Sequence, residues 1–248
     1  MMKKKSLLAL SLALLLLLTA CGGGTTTPAS AEPSESAEPT SNTLSVHIEV
    51  EVASLDSQIA TDGTSFEVIA DMVDGLCMPD ADGNPVMALA DSIEESEDGL
   101  TYTIHIRDDA NWSNGDPVTA DDFVFGWRRA VDPAVASEYN FIMEIAGVLN
   151  AGDIIAGNKP VEDLGIKAVD AMILEITLDV PVSFFRSLLY FPTFYPINEE
   201  FFKSCSNGDT YGTSPETFLS CGAFKLASYE PAATSFSLVK NPDYYDAD

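Results

Sequence analysis

Four cysteines, two histidines and 39 aspartates and glutamates are the side chains of this 248-residue chain best suited to chemistry. Their spacing supports little catalysis. A hydrolytic nucleophile needs a base held beside it, yet there is no GxSxG, no HExxH, no Walker loop and no Cys/His pair at suggestive spacing. Carboxylate pairs of the glycoside-cleaving kind are not recognisable by counting, so a secreted hydrolase stays an alternative reading. The cysteines form no CxxC and only His47 and His105 could join them, which argues against a zinc site. Neither a metal nor an organic cofactor is expected.

Cys21 is the one cysteine whose setting points to a reaction. Lys3, Lys4 and Lys5 form a positive start, Leu7 to Leu18 an apolar run, and Thr19-Ala20 a small-residue site, so residues 1–20 read as an export signal. The apolar run is shorter than the roughly 20 residues a bilayer-spanning helix needs. The string LTAC followed by GGG resembles a lipobox, in which the cysteine sulfur receives a diacylglycerol and cleavage falls just before it. That lipid would be the only membrane anchor. Residues 21–43 are expected to be a disordered stalk, because Gly22 to Asn42 is built almost wholly from Gly, Thr, Ser, Pro, Ala and Glu and buries too little apolar surface to offset its ordering entropy.

With Cys21 acylated, Cys77, Cys205 and Cys221 remain, an odd number that does not pair fully within one chain. Outside the cytoplasm a Cys205–Cys221 bridge is one reading. Three buried, small apolar residues is the other.

The formal net charge is −27, and three of the twelve basic residues are already spent on the leader. Nucleic acid and anionic lipid both require clustered Lys and Arg, so neither is an expected partner. Most of the acidity serves a solvated surface.

The elements that must position any site are legible by period and punctuation. Leu44 to Val52 alternates apolar with polar residues, which predicts an opening strand with one buried face. Thr61-Asp62-Gly63-Thr64 carries turn chemistry, and Ser65 to Gly75 reads as a helix with Phe66, Ile69 and Val73 on one side. Asp80 to Pro85 is a turn, and Ser96-Glu97-Asp98-Gly99 links a hairpin into a strand whose Tyr102, Ile104 and Ile106 face opposite to His105. Thr119 and Asp122 have the spacing of a helix cap, with Phe123, Trp127 and Ala130 as the apolar stripe and Asp132-Pro133 as the stop. Arg128 and Arg129 suit the negative end of that helix, and no partner for them is visible in the sequence. Further helices are expected over Glu138 to Leu149 and Pro181 to Phe191, and hairpins over Leu164 to Leu178 and from Gly222 to Lys240. The mixture without a steady βαβ rhythm favours an α/β or α+β fold with a mixed sheet.

The order of these motifs resembles the extracellular solute-binding proteins of the oligopeptide and dipeptide family, the second class of periplasmic-type binding proteins. The pieces that match are Ser54-Leu55-Asp56, Asp74-Gly75-Leu76, Glu97 to Thr103, the long string WSNGDPVTADDFVFGWRR with Asp132-Pro133 after it, and Ala136-Ser137-Glu138-Tyr139. LGIKAVDAMILEITL, Cys221 to Leu226 and Lys240 to Tyr245 continue the pattern, so it covers essentially all of Leu44 to Asp248. Two positions depart from it: Cys221 stands where the family usually has Asn, and Cys77 where an aromatic or aliphatic residue is more usual.

The resemblance implies a type II fold in which 44–75 and 170–248 belong to a first lobe and 76–169 is a subdomain inserted in it. Family members are about twice this length, so the chain is expected to be an incomplete first lobe with the second absent. It also implies a clam-like mechanism, in which two lobes close over a short peptide held through its main chain while water-filled pockets tolerate its side chains. Thr61, Asp62 and Gly63 would present backbone groups to the ligand, and Tyr139 a ring and a hydroxyl. An ordinary strand-to-helix turn and plain helix-start packing are the competing readings of those positions. Trp112 and Trp127 are assigned to the core.

The implied partners are short peptides, an ABC permease with its ATPase, and the membrane through the lipid on Cys21. The chain would be a monomer on the outer face of the plasma membrane or in the periplasm. A peptide-sensing surface receptor or adhesin on the same fold is the alternative.

Overall fold

The structure, a computed structural model, describes residues 44–48, 50–231 and 235–247. The export signal, the stalk and Cys21 lie outside the described residues. The chain divides into two compact units, Met1–Val46 and His47–Asp248, and the second is described below.

The opening strand is not formed. Val50 is exposed and Val52 alone of the alternating set in this unit is buried, and no strand among the described residues forms a ladder with the segment. A one-faced strand needs a ladder partner for its backbone groups, and periodicity alone does not supply one.

α1 (Gly63–Met72) begins two residues before the expected Ser65, inside the segment read as a turn. Extended Asp62 accepts the Ser65 N–H at 2.8 Å and the Ser65 hydroxyl at 2.7 Å. The same hydroxyl oxygen accepts the Ala53 and Ser54 N–H groups at 3.0 and 3.2 Å, which ties the incoming segment to the helix start. Val68, Ile69 and Met72 are buried, and the helix stops short of Gly75 because Val73 is already extended. A side chain at Gly75 would lie 2.4 Å from the Leu189 carbonyl oxygen, so only glycine fits there. β1 (Cys77–Pro79) and β2 (Pro85–Met87) then pair around Asp80, whose carboxylate accepts the Asp82 and Asn84 N–H groups.

β3 (Ala90–Glu95), β4 (Thr101–Ile106), β5 (Ile166–Asp170) and β6 (Ile173–Thr177) form one sheet in the order β3-β4-β6-β5. Tyr102, Ile104, Ile106, Leu174 and Ile176 point into the core as their alternation predicted, and His105 is half-buried on the opposite face. The expected mixed sheet is corrected: every ladder among the described residues is antiparallel. Two hairpins build this sheet side by side, whereas parallel neighbours need a crossover between them.

α2 (Ala120–Val131) covers the sheet. The Thr119 N–H donates to Asp122 at 2.9 Å, and the same carboxylate oxygen accepts the Trp112 indole N–H at 3.0 Å. Burial pushes Asp122 up to about 6, against the opposing pull of its Thr119 and Trp112 hydrogen bonds. Trp112, Phe123 and Trp127 are core residues, and the Trp127 indole N–H donates to the Phe194 carbonyl at 2.8 Å.

The long helix expected over 138–149 shrinks to α3 (Phe141–Ile145), followed by α4 (Ala151–Ile155). Gly147 (φ +71°) and Asn150 (φ +68°) adopt left-handed backbone, and Val148 bridges to Leu178 instead of continuing a helix. α5 (Phe185–Leu188) is a single turn, and α6 (Glu199–Ser204) is capped by Asn198, which accepts the Phe201 N–H at 2.9 Å. β7 (Phe224–Ser228) and β8 (Ser237–Lys240) close the chain as a hairpin. Beyond it the Tyr244 and Tyr245 hydroxyls both donate to buried Asp74, at 2.9 and 2.6 Å.

The Cys205–Cys221 bridge is not formed: Cys77, Cys205 and Cys221 are free and buried. The Cys221 and Gly222 N–H groups are pinned to the Met72 carbonyl at the end of α1, whereas the Cys205 thiol turns toward the Thr217 carbonyl at 3.8 Å. Burial pushes the Cys77 thiol up to about 11.

Candidate functional site

The site follows from how α1 starts. Asp62 engages Ser65 with both carboxylate oxygens, so its side chain serves as the helix cap. Its neighbours are open: Thr61 and Gly63 are exposed, and no hydrogen bond to the Thr61 backbone occurs among the described residues. The Gly63 and Thr64 N–H groups belong to the helix's first turn, which has no intrahelical acceptors. Nothing lies within 4 Å of the place a Gly63 side chain would occupy, and its φ is not in the left-handed region. The fold therefore does not demand glycine there. The result is a short stretch of exposed main chain able to donate and accept hydrogen bonds with an extended partner.

Tyr139 stands beside it. Phe66, one turn into α1 from Gly63, meets the Tyr139 ring edge-on at 5.3 Å, and Phe191 and Phe141 approach Tyr139 at 5.5 and 5.6 Å. Tyr139 is half-buried, and its hydroxyl has no partner among the described residues. Tyr139 thus meets α1 through Phe66, one turn from Gly63, within a ring of aromatics that sequence reasoning missed. Phe141 could have been found, since it lies two residues from Tyr139. Phe191 could not, because its approach depends on where the turn after α5 falls.

The arginines in the last turn of α2 serve a different purpose. Arg129 holds Asp56 with two hydrogen bonds and lies 4.6 Å above the Phe202 ring, and Arg128 donates to the Glu162 carbonyl at 3.2 Å. Both line a groove of about 980 Å³ beside α2, and with Arg129 already paired its charge is not free to grip a carboxylate there. No group of three or more metal-ligating side chains occurs among the described residues.

Three relatives frame this geometry. The dipeptide-binding protein of Lactococcus lactis subsp. cremoris is 42% identical over 202 residues, covering 80% of this chain and 36% of the relative. The solved structure of Listeria monocytogenes OppA bound to peptide superposes with a TM-score of 0.76 at 42% identity, over 79% of this chain and 38% of that one. A probable deoxycholate-binding periplasmic protein of Escherichia coli, YgiS, is 37% identical over 78% of this chain and 35% of its own length. The chain therefore spans little more than a third of the length of these relatives. The fold is that of type II periplasmic binding proteins, and the family model for bacterial extracellular solute-binding proteins, family 5 Middle, matches residues 84–248, so the chain belongs to that family.

Proposed function

We propose that this chain supplies one jaw of a peptide-capturing protein that serves an ABC importer outside the cytoplasm, tethered through a lipid on Cys21. An extended peptide pairs its main chain with Thr61 and Gly63, and Tyr139 covers it with a ring and a free hydroxyl. The observation that carries this reading is Gly63: an exposed glycine with ordinary backbone angles and open space around it has no structural task, whereas close approach by another backbone would require it. The names of the relatives support peptide as the ligand class, and the YgiS name brings in a steroid.

Pairing through main chain separates affinity from sequence, as an importer of mixed peptides requires. Enclosing the ligand takes an opposing jaw, and the chain spans only 36% of its Lactococcus relative. Within this jaw the inserted subdomain is proposed to run to 177 rather than 169, because β3 to β6 form one sheet through Thr177. The test is calorimetry of the 248-residue chain with mixed di- to pentapeptides and with deoxycholate. Weak, millimolar peptide binding is expected. Micromolar affinity from this chain alone would contradict the need for a second jaw, and a response to deoxycholate alone would replace the ligand class.

A further inference from the structure

We infer that the peptide site carries an apolar subsite, formed by Phe141 and Ile145 against Tyr139, that selects ligands with a large aliphatic or aromatic side chain and rejects acidic ones. This rests on the reading of Thr61, Gly63 and Tyr139 as the peptide face. It departs from indifference to side chains at one position.

Phe141 and Ile145 lie four residues apart on α3, which puts them on one face of the helix. They are 46% and 52% exposed, although Phe66, Tyr139 and Phe191 within the same aromatic group are half-buried. The Phe141 ring tilts 32° to Tyr139 at 5.6 Å, so the exposed surface continues directly from the residue assigned to the ligand. A half-exposed ring beside a half-exposed isoleucine is apolar area still open to water, and a ligand side chain laid there removes area on both partners.

The electrostatic setting narrows the choice. Residues 61–72 and 134–149 contain no Lys, Arg or His, and they carry Asp62, Glu67, Asp71, Glu138 and Glu144. Burial first, and the neighbouring Glu67 second, raise the pKa of Asp71. A peptide carboxylate gains no counter-charge here and meets repulsion. An apolar side chain meets neither penalty, and each methylene it buries strengthens binding roughly fourfold.

The test is a titration of the chain, isotopically labelled at backbone amides and isoleucine methyls, with Ala-Leu-Ala, Ala-Phe-Ala, Ala-Ser-Ala and Ala-Glu-Ala at millimolar concentration, read by NMR. The expected result is shifts at Thr61 to Thr64 with the neutral peptides, an Ile145 methyl shift only with Leu and Phe, and affinity about tenfold higher for Ala-Leu-Ala than for Ala-Ser-Ala. In Phe141→Ser/Ile145→Ser the Leu-to-Ser ratio should fall close to one. Equal affinities in the unsubstituted chain with shifts confined to 61–64 would overturn the subsite and leave the peptide face standing. Shifts nowhere would sink both. An Ile145 methyl that moves with protein concentration and no peptide would assign the patch to a second copy of the chain and overturn the inference.

Discussion

Arg129, in the last turn of α2, grips Asp56 from 73 residues away with two hydrogen bonds of 2.7 and 2.6 Å. Their side chains are 13% and 5% exposed, so the pair is largely withdrawn from water. It joins the segment leading into α1 to the helix that covers the sheet, and with them the two halves of the proposed jaw. The Gln58 N–H also donates to Asp56 at 3.1 Å, and the Gln58 side chain donates to the Tyr195 carbonyl, which extends the junction.

Removing one member strands the other charge. Arg129→Ala and Asp56→Ala should each cost about 3–5 kcal/mol, and the double variant should cost less than their sum. Arg129→Lys should fall between, because an ammonium does not reproduce the guanidinium fork. Urea unfolding of the unsubstituted chain and these four variants measures this, and strict additivity would show that the pair does not act as a unit.

Asp122 gives the fold a pH dependence. Its pKa rises from 3.8 to about 6 on folding, so the folded state holds a proton that the unfolded state has released across that window. The contribution is fully present below about pH 4 and is lost as pH rises toward 6, by up to about 3 kcal/mol. Buried Asp74 is also raised, by desolvation first, and acts in the same direction. Asp122→Asn should flatten the slope between pH 4 and 6 without abolishing it. Unfolding midpoints at closely spaced pH values would show this.

Two glycines separate structure from ligand. Gly75→Ala places a carbon 2.4 Å from the Leu189 carbonyl and 2.8 Å from the Tyr195 ring, and should cost about 2 kcal/mol or more. Gly63→Ala meets nothing within 4 Å and should leave stability within about 0.5 kcal/mol. In the reading proposed here, Gly63→Ala weakens peptide binding by obstructing main-chain approach. Thermal unfolding beside peptide titration separates the two effects.

The three free thiols predict a redox-silent fold. Cys77, Cys205 and Cys221 should resist a thiol reagent in the native state, react together in denaturant, and leave the unfolding temperature unchanged by reductant. A drop on reduction would restore the Cys205–Cys221 bridge.

Local features were readable from the residues themselves. The Thr119 helix start, the β3–β4 and β5–β6 hairpins and the core role of both tryptophans follow from turn chemistry, caps and alternation, which act within a few residues. Asp56–Arg129, the two tyrosine bonds to Asp74 and the Phe191–Tyr139 contact join residues far apart in sequence, and no period encodes them. The opening strand failed for the same reason, since alternation at Leu44 to Val52 says which face could be buried and not what would pair with it. At the site, Thr61, Gly63 and Tyr139 came from family likeness. The geometry adds that the Asp62 side chain is spent on capping and that aromatics surround Tyr139.

The most direct test of the central claim is paramagnetic broadening by a spin-labelled tripeptide added to the labelled chain. The amides of Thr61 to Thr64 and Tyr139 should broaden first, with Phe66 close behind. Broadening centred on the groove beside α2, or spread evenly over the acidic surface, would contradict it.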